Sequence, residues 1–162
     1  MRLEELFRRT TMKKTIAVMF LTFFAFSSVL FAQDKTVINS DYARRKLIGR
    51  HFLSLQWISW DWLGRAYVRN REGVYYLTGS QKGRGNDDEL TIDGVITEIN
   101  RDDFKFKGKI TTTISHINDG EECVREGDMT FAITGRRKYW RLQEMDNPCD
   151  TATDYVDIYF RR

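Results

Sequence analysis

Residues 104–116 constrain this chain more than any other stretch. Phe104, Phe106, Gly108, Ile110, Thr112, Ile114 and His116 alternate with Lys105, Lys107, Lys109, Thr111, Thr113 and Ser115. Strict period-2 alternation is the pattern of a strand with one packed face and one wet face; a helix would scatter the lysines around its surface. The run spans 13 residues, against about 5–6 for an ordinary strand. Gly108 is therefore expected to mark a bend, because a residue without Cβ lets a long strand coil sharply. Long coiled antiparallel strands imply a barrel or a strongly twisted sandwich.

Three hairpins are predicted around this strand. In the first, Ala66 and Val68 lead through Asn70-Arg71-Glu72-Gly73 to Tyr75 and Leu77, a turn by composition. With Asn70 opposite Gly73, Val68 faces Tyr75, Ala66 faces Leu77 and Gly64 faces Gly79. In the second, setting Ile99 against Asp103 pairs Ile96 with Phe106, Ile92 with Ile110 and Gly94 with Gly108. Facing glycines in both hairpins suggest one bending device used twice. In the third, Gly135-Arg136 suits a two-residue turn that wants Gly first, which pairs Phe131 with Trp140 and Met129 with Leu142.

Cys123 and Cys149 then fall almost equidistant from the third turn. An even cysteine count in an exported chain argues for a disulfide, and the hairpin geometry brings the two thiols together.

Export is expected from the N-terminus. Met12-Lys13-Lys14 is a basic start, residues 16–31 are uncharged and mostly apolar, and Ala32 precedes Gln33. This has the form of a secretory signal peptide, somewhat short for a membrane span of about 20 residues. The expected organisation is a signal peptide over 1–32, a lead segment with a short helix over 33–48, and a β-domain over 49–162, the protein being periplasmic or secreted with no membrane span after cleavage. Ser40-Asp41 caps the helix and Gly49 stops it. Residues 1–32 hold five basic and two acidic side chains; subtracting them from 26 and 23 leaves 21 of each. The processed chain thus has no global basic field, and nucleic acid is not an expected partner.

Counting Tyr155 to Phe160 as the last strand, eight or nine strands follow one short helix. The meander order, the leading helix and Gly49-Arg50-His51-Phe52 entering the first strand resemble the lipocalin (calycin) barrels. That family usually has Gly-x-Trp at this point, with a basic residue near the last strand packed over the Trp. Here His51 replaces the Trp, and Arg161 or Arg162 is left as the basic partner. The resemblance implies an all-β, up-and-down barrel; a β-sandwich is the alternative.

No catalytic constellation is visible. Two histidines, His51 and His116, are too few for a metal site of three or four ligands. Gly-x-Ser-x-Gly is absent, and a disulfide takes both thiols out of service. The Lys82–Glu89 loop lacks the complete phosphate or calcium patterns and reads as a solvated turn. The lysine stripe reads as the solvent face of a strand that also discourages edge-to-edge pairing. No cofactor is expected.

Two functions remain. Trp57, Phe104, Phe106 and His116 would line a cavity for a small apolar ligand, since eight strands leave room for side chains alone or for one small ligand. Alternatively, Trp60 and Trp62 would anchor a protein partner from a rim. The structural alternative for the tryptophans is a core strand running into a packed corner.

Overall fold

The computed structural model describes residues 34–160. Strand β1 (Val37–Ile38) and helix α1 (Asp41–Leu47) precede eight further strands. These are β2 (Gly49–Leu55), β3 (Gly64–Arg71), β4 (Val74–Lys82), β5 (Glu89–Ile99), β6 (Asp103–Thr113), β7 (Glu122–Ala132), β8 (Tyr139–Leu142) and β9 (Val156–Tyr159). Each strand from β2 to β9 pairs antiparallel with the next. The first and last then join, Phe52 against Tyr159 and Leu55 against Val156. The result is a closed eight-stranded meander, not a sandwich. β1 adds as a short parallel strand beside the end of β5. Among the described residues no helix is long and apolar enough to cross a membrane. The expected signal peptide over 1–32, and Arg161 and Arg162, lie outside the described residues.

β6 follows the alternation. Phe104, Phe106, Ile110 and Ile114 are buried, while Lys105, Lys107 and Lys109 are exposed. The strand itself stops at Thr113. Glycine continues from β5 through β6 into β7, with Gly94 beside Gly108 and Gly108 beside Gly127. A Cβ on Gly108 would stand 2.3 Å from the Asp93 carbonyl and 2.6 Å from the Phe106 ring. The glycines therefore let two backbones close in and let Phe106 lie over them, a covering of bare backbone by an aromatic ring.

The predicted β5–β6 partners Ile96–Phe106, Ile92–Ile110 and Gly94–Gly108 are observed. A bulge between Ile96 and Glu98 shifts the last pair, so Ile99 meets Phe104 and not Asp103. The other two hairpins are each displaced by two residues. Val68 pairs with Leu77 and Ala66 with Gly79, because Glu72 (φ 54°) and Gly73 (φ 92°) form a two-residue turn with the twist that hairpins favour. Gly64 consequently lies against Gln81, not Gly79. Phe131 pairs with Leu142, not with Trp140, since residues 133–138 make a loop longer than the expected tight turn. A slip of two leaves every side chain on its predicted face.

Helix α1 closes one end of the barrel. The Ser40 hydroxyl oxygen accepts the Ala43 N–H at 3.2 Å, and Asp41 in the first turn with Arg44, Arg45 and Lys46 in the last complements the helix dipole. Ala43 and Leu47, four apart and so on one face, are buried against the core. His51 is buried beneath, its ring nitrogens 2.6 Å from the Leu47 carbonyl and 2.9 Å from the Tyr159 carbonyl. Its ring meets Trp140 edge-on, centroids 5.7 Å apart. Among the described residues a cation over this cluster is Lys46, with Nζ 3.2 Å from the Phe160 ring centroid and 5.5 Å from that of Trp140.

Candidate functional site

The opposite end is made of loops: 56–63, 83–88, 114–121 and 143–155. Two of them have polar anchors rooted in the barrel. Gln81, on β4 and 1% exposed, accepts the Leu55 N–H through Oε1 and donates through Nε2 to the carbonyls of Ser59 and Trp62. The Ser59 hydroxyl oxygen accepts the N–H groups of Asp61 and Trp62. A buried amide and a serine thus set the loop that carries the tryptophans.

The 143–155 loop is tied down covalently and by a buried carboxylate. Cys149 is joined to Cys123 of β7 by a disulfide, Cα atoms 5.9 Å apart. Asp154 is 3% exposed; its carboxylate accepts from Arg125 at 3.1 Å, from both-oxygen contacts of Asn147 Nδ2, and from Trp57 Nε1 at 3.2 Å. Arg125 occupies an inward position of β7, between Cys123 and Gly127, opposite buried Ile110. Burying this charge is tolerable because the ion pair and its hydrogen bonds leave Asp154 well satisfied. Beside the pair, a void of about 10 Å³ is lined by Ile110, Thr112, Cys123, Arg125, Pro148, Asp154 and Val156, room for about one water.

The expected cavity residues divide into two groups. Phe104 and Phe106 are fully buried; Phe104 stacks on Phe131 at 5.1 Å and meets Trp140 at 5.9 Å, and Phe106 meets Phe131 edge-on at 6.1 Å. They fill the interior toward the α1 end. Trp57 is half-buried past the end of β2, and His116 is exposed past the end of β6. Their rings touch edge-on at 5.9 Å, so they form one feature of the loop end, away from the two phenylalanines.

Trp60 and Trp62 are 50% and 48% exposed, which places them at the surface and not in a packed corner. The Arg84 guanidinium carbon lies 3.2 Å from the Trp62 ring centroid, bringing loop 83–88 against loop 56–63. The carboxylate of Asp88 in that loop is used structurally, accepting the Ser115 N–H at 2.7 Å and Asn86 Nδ2 at 2.8 Å.

Sequence reasoning missed Gln81, Arg125, Asn147 and Asp154. Arg125 carried a signal: it breaks the inward apolar series of β7. Gln81 carried the same signal, continuing the inward series of Tyr75, Leu77 and Gly79 on β4, whereas Asn147 and Asp154 sit in a loop where no periodicity distinguishes them.

The family model that matches is that of the PM1083 family, over residues 35–160. A protein of Pasteurella multocida (strain Pm70) named Uncharacterized protein PM1083 is 44% identical over 115 residues, covering 71% of this chain and 74% of that relative. No solved structure matches.

Proposed function

This chain belongs to the PM1083 family, and on that premise we propose that it is an exported, lipocalin-like cup that binds a protein partner through the Trp60/Trp62 rim. The observation that carries this reading is the pair of half-exposed tryptophans on a loop held from beneath by buried Gln81. Tryptophan is the side chain most enriched among residues that dominate interface energies, and a loop already fixed loses less freedom on binding. The filled α1 half of the barrel also leaves little interior volume for cargo. A photo-crosslinking residue at position 60, in cells of the host, should give a discrete protein adduct that the same residue at position 107 does not. Identical adducts from both positions, or none from position 60, would count against the rim.

Export supports the choice of an envelope partner. The motive is the Met12-Lys13-Lys14 start, the apolar run and Ala32, together with a disulfide of the kind that persists in oxidising compartments. N-terminal sequencing of cell fractions should find protein beginning near Gln33; Met12 retained on cytosolic protein would refute this part.

Carriage of a small apolar ligand is the second reading, favoured by the closed eight-stranded barrel itself, the size that holds one small ligand in other proteins. Trp57 and His116 would then guard the entrance and Phe104 and Phe106 the floor. A ligand retained in native mass spectrometry of protein purified from its host would put this reading first.

A further inference from the structure

The outer wall of β2, β3 and β4 is chemically unlike the rest of the barrel surface. These three strands contain no Asp or Glu, and five basic residues: Arg50, Arg65, Arg69, Arg71 and Lys82. The four arginines are exposed, and among the described residues none forms an ion pair with a carboxylate. Three of them lie near aromatic rings of the same wall. The guanidinium carbon of Arg65 is 5.8 Å from the Phe52 centroid, that of Arg69 is 5.2 Å from Tyr67, and that of Arg71 is 5.6 Å from Tyr76. Phe52 itself is 42% exposed.

The β5–β7 wall shows what neutralisation looks like. There Asp93, Lys109 and Glu126 are cross-strand neighbours, and Lys107 faces Asp128. Those three strands carry seven acidic and four basic residues. The lysine stripe therefore has carboxylates of this chain as cross-strand neighbours, with Lys105 also paired to Asp103, and the arginines of the β2–β4 wall have no carboxylate as a cross-strand neighbour.

A guanidinium associated with a ring face is pre-organised, and its free N–H edge suits two oxygens of one phosphate. The wall is the convex side of a barrel and has no groove, whereas proteins that track single-stranded nucleic acid use a basic groove with open aromatic faces. Here the ring faces are already engaged by arginine. Arginine with interspersed Tyr and Phe is instead the composition found at the headgroup level of membranes, where basic side chains meet anionic lipid. At about 3.4 Å per residue, β3 alone supplies a strip roughly 24 Å long that can touch a plane.

We propose that the outer wall of β2–β4, through Arg50, Arg65, Arg69 and Arg71, docks on the phosphate headgroups of an anionic membrane surface. The test is co-sedimentation of the protein recovered from expression of the full chain with phosphatidylcholine vesicles, with and without phosphatidylglycerol, at low and high salt. Binding should require phosphatidylglycerol and weaken with salt. The R50Q/R65Q/R69Q/R71Q variant should lose roughly a hundred-fold or more in partitioning, from four removed charges. K105Q/K107Q/K109Q should bind as wild type, and so should W60A/W62A, which separates this surface from the rim. If the glutamine variant does not fold by circular dichroism, the four Arg→Lys changes take its place: they keep the charge and remove the fork, and should weaken binding measurably. Equal loss from the lysine-stripe variant, binding without phosphatidylglycerol, or no vesicle binding at all would overturn the proposal. So would arginine-dependent binding of heparin or a single-stranded oligonucleotide in the absence of vesicle binding, which would make the partner a soluble polyanion.

Discussion

At the end of the barrel beneath α1, the seal is apolar. Leu47, Phe104, Phe131 and Trp140 are buried there, and the polar groups are few: His51 on two backbone carbonyls, the Thr36 hydroxyl donating to the Ile96 carbonyl and accepting the Tyr75 N–H, and Lys46 over two rings. At the loop end the seal is polar and covalent: the Arg125–Asp154 pair, Asn147, Gln81 and the Cys123–Cys149 bridge. The first end buys stability by area removed from water. The second holds loops in one arrangement, which apolar packing does poorly when the segments have few apolar residues to contribute. The surface tryptophans stand at the second end, on a loop hydrogen-bonded to that framework.

The largest expected effect is at the α1 end. Trp140→Ala should cost about 3–5 kcal/mol in urea melts, as for other buried large aromatics; a loss below about 1 kcal/mol would mean that this end is not the stabilising one. Replacing Cys123 and Cys149 by Ser should cost roughly 3–4 kcal/mol on the chain-entropy model, given their separation of 26 residues.

Asp154→Ala comes next, at about 2–3 kcal/mol, since it strands Arg125, whose side chain keeps 14% exposure. Replacing both partners, Arg125→Met with Asp154→Leu, should restore most of that loss. Recovered stability together with lost rim crosslinking would sharpen the comparison, because it would show that the pair positions loops and does not supply net stability. A double variant as unstable as the single one would mean that the pair supplies net stability and that the two ends differ less in kind. On the lateral wall, Lys107→Ala should change stability by no more than about 0.5 kcal/mol.

The smallest effect is a pH dependence at Lys46. Burial, partly opposed by Asp102, lowers its pKa from the usual 10.5. In the window between the lowered folded value and the unfolded one, the unfolded chain binds more protons, so stability rises with pH. The stability of wild type relative to Lys46→Met should therefore climb slightly as pH approaches 10.5. A fall over that window would mean that attraction to the Trp140 and Phe160 rings outweighs desolvation.

Much of this architecture is written in short-range pattern. The β6 alternation, the Ser40 cap and the Gly94–Gly108 approach each depend on residues whose spacing along the chain already carries the physics; the Cys123–Cys149 bridge forms as expected, yet not across an extended hairpin, since β8 ends at Leu142 and Cys149 lies in the loop beyond it. A period-2 pattern has a limit, however: it distinguishes faces, so it determines register only to within two residues. That is why the β3–β4 and β7–β8 pairings were each displaced by two while their buried faces were correctly expected. The turn decided the rest, through positive φ at Glu72 in one hairpin and a longer loop over 133–138 in the other.

Closure decided what no local pattern carries. Only when β9 meets β2 does the chain become a barrel and not a sandwich. The loop that follows β8 then comes over β7, where Asp154 finds Arg125, 29 residues away, and Trp57, 97 residues away. His116 continues the inward series of β6 on paper, yet the strand has ended at Thr113 and the side chain stands at the rim. The arginines of β2 and β3 are scattered over residues 50–71 in sequence and become one wall only through cross-strand register. Periodicity acts over a few residues and is legible in the chain; charge partners and surface patches are set by which strands become neighbours, and that is a property of the closed sheet.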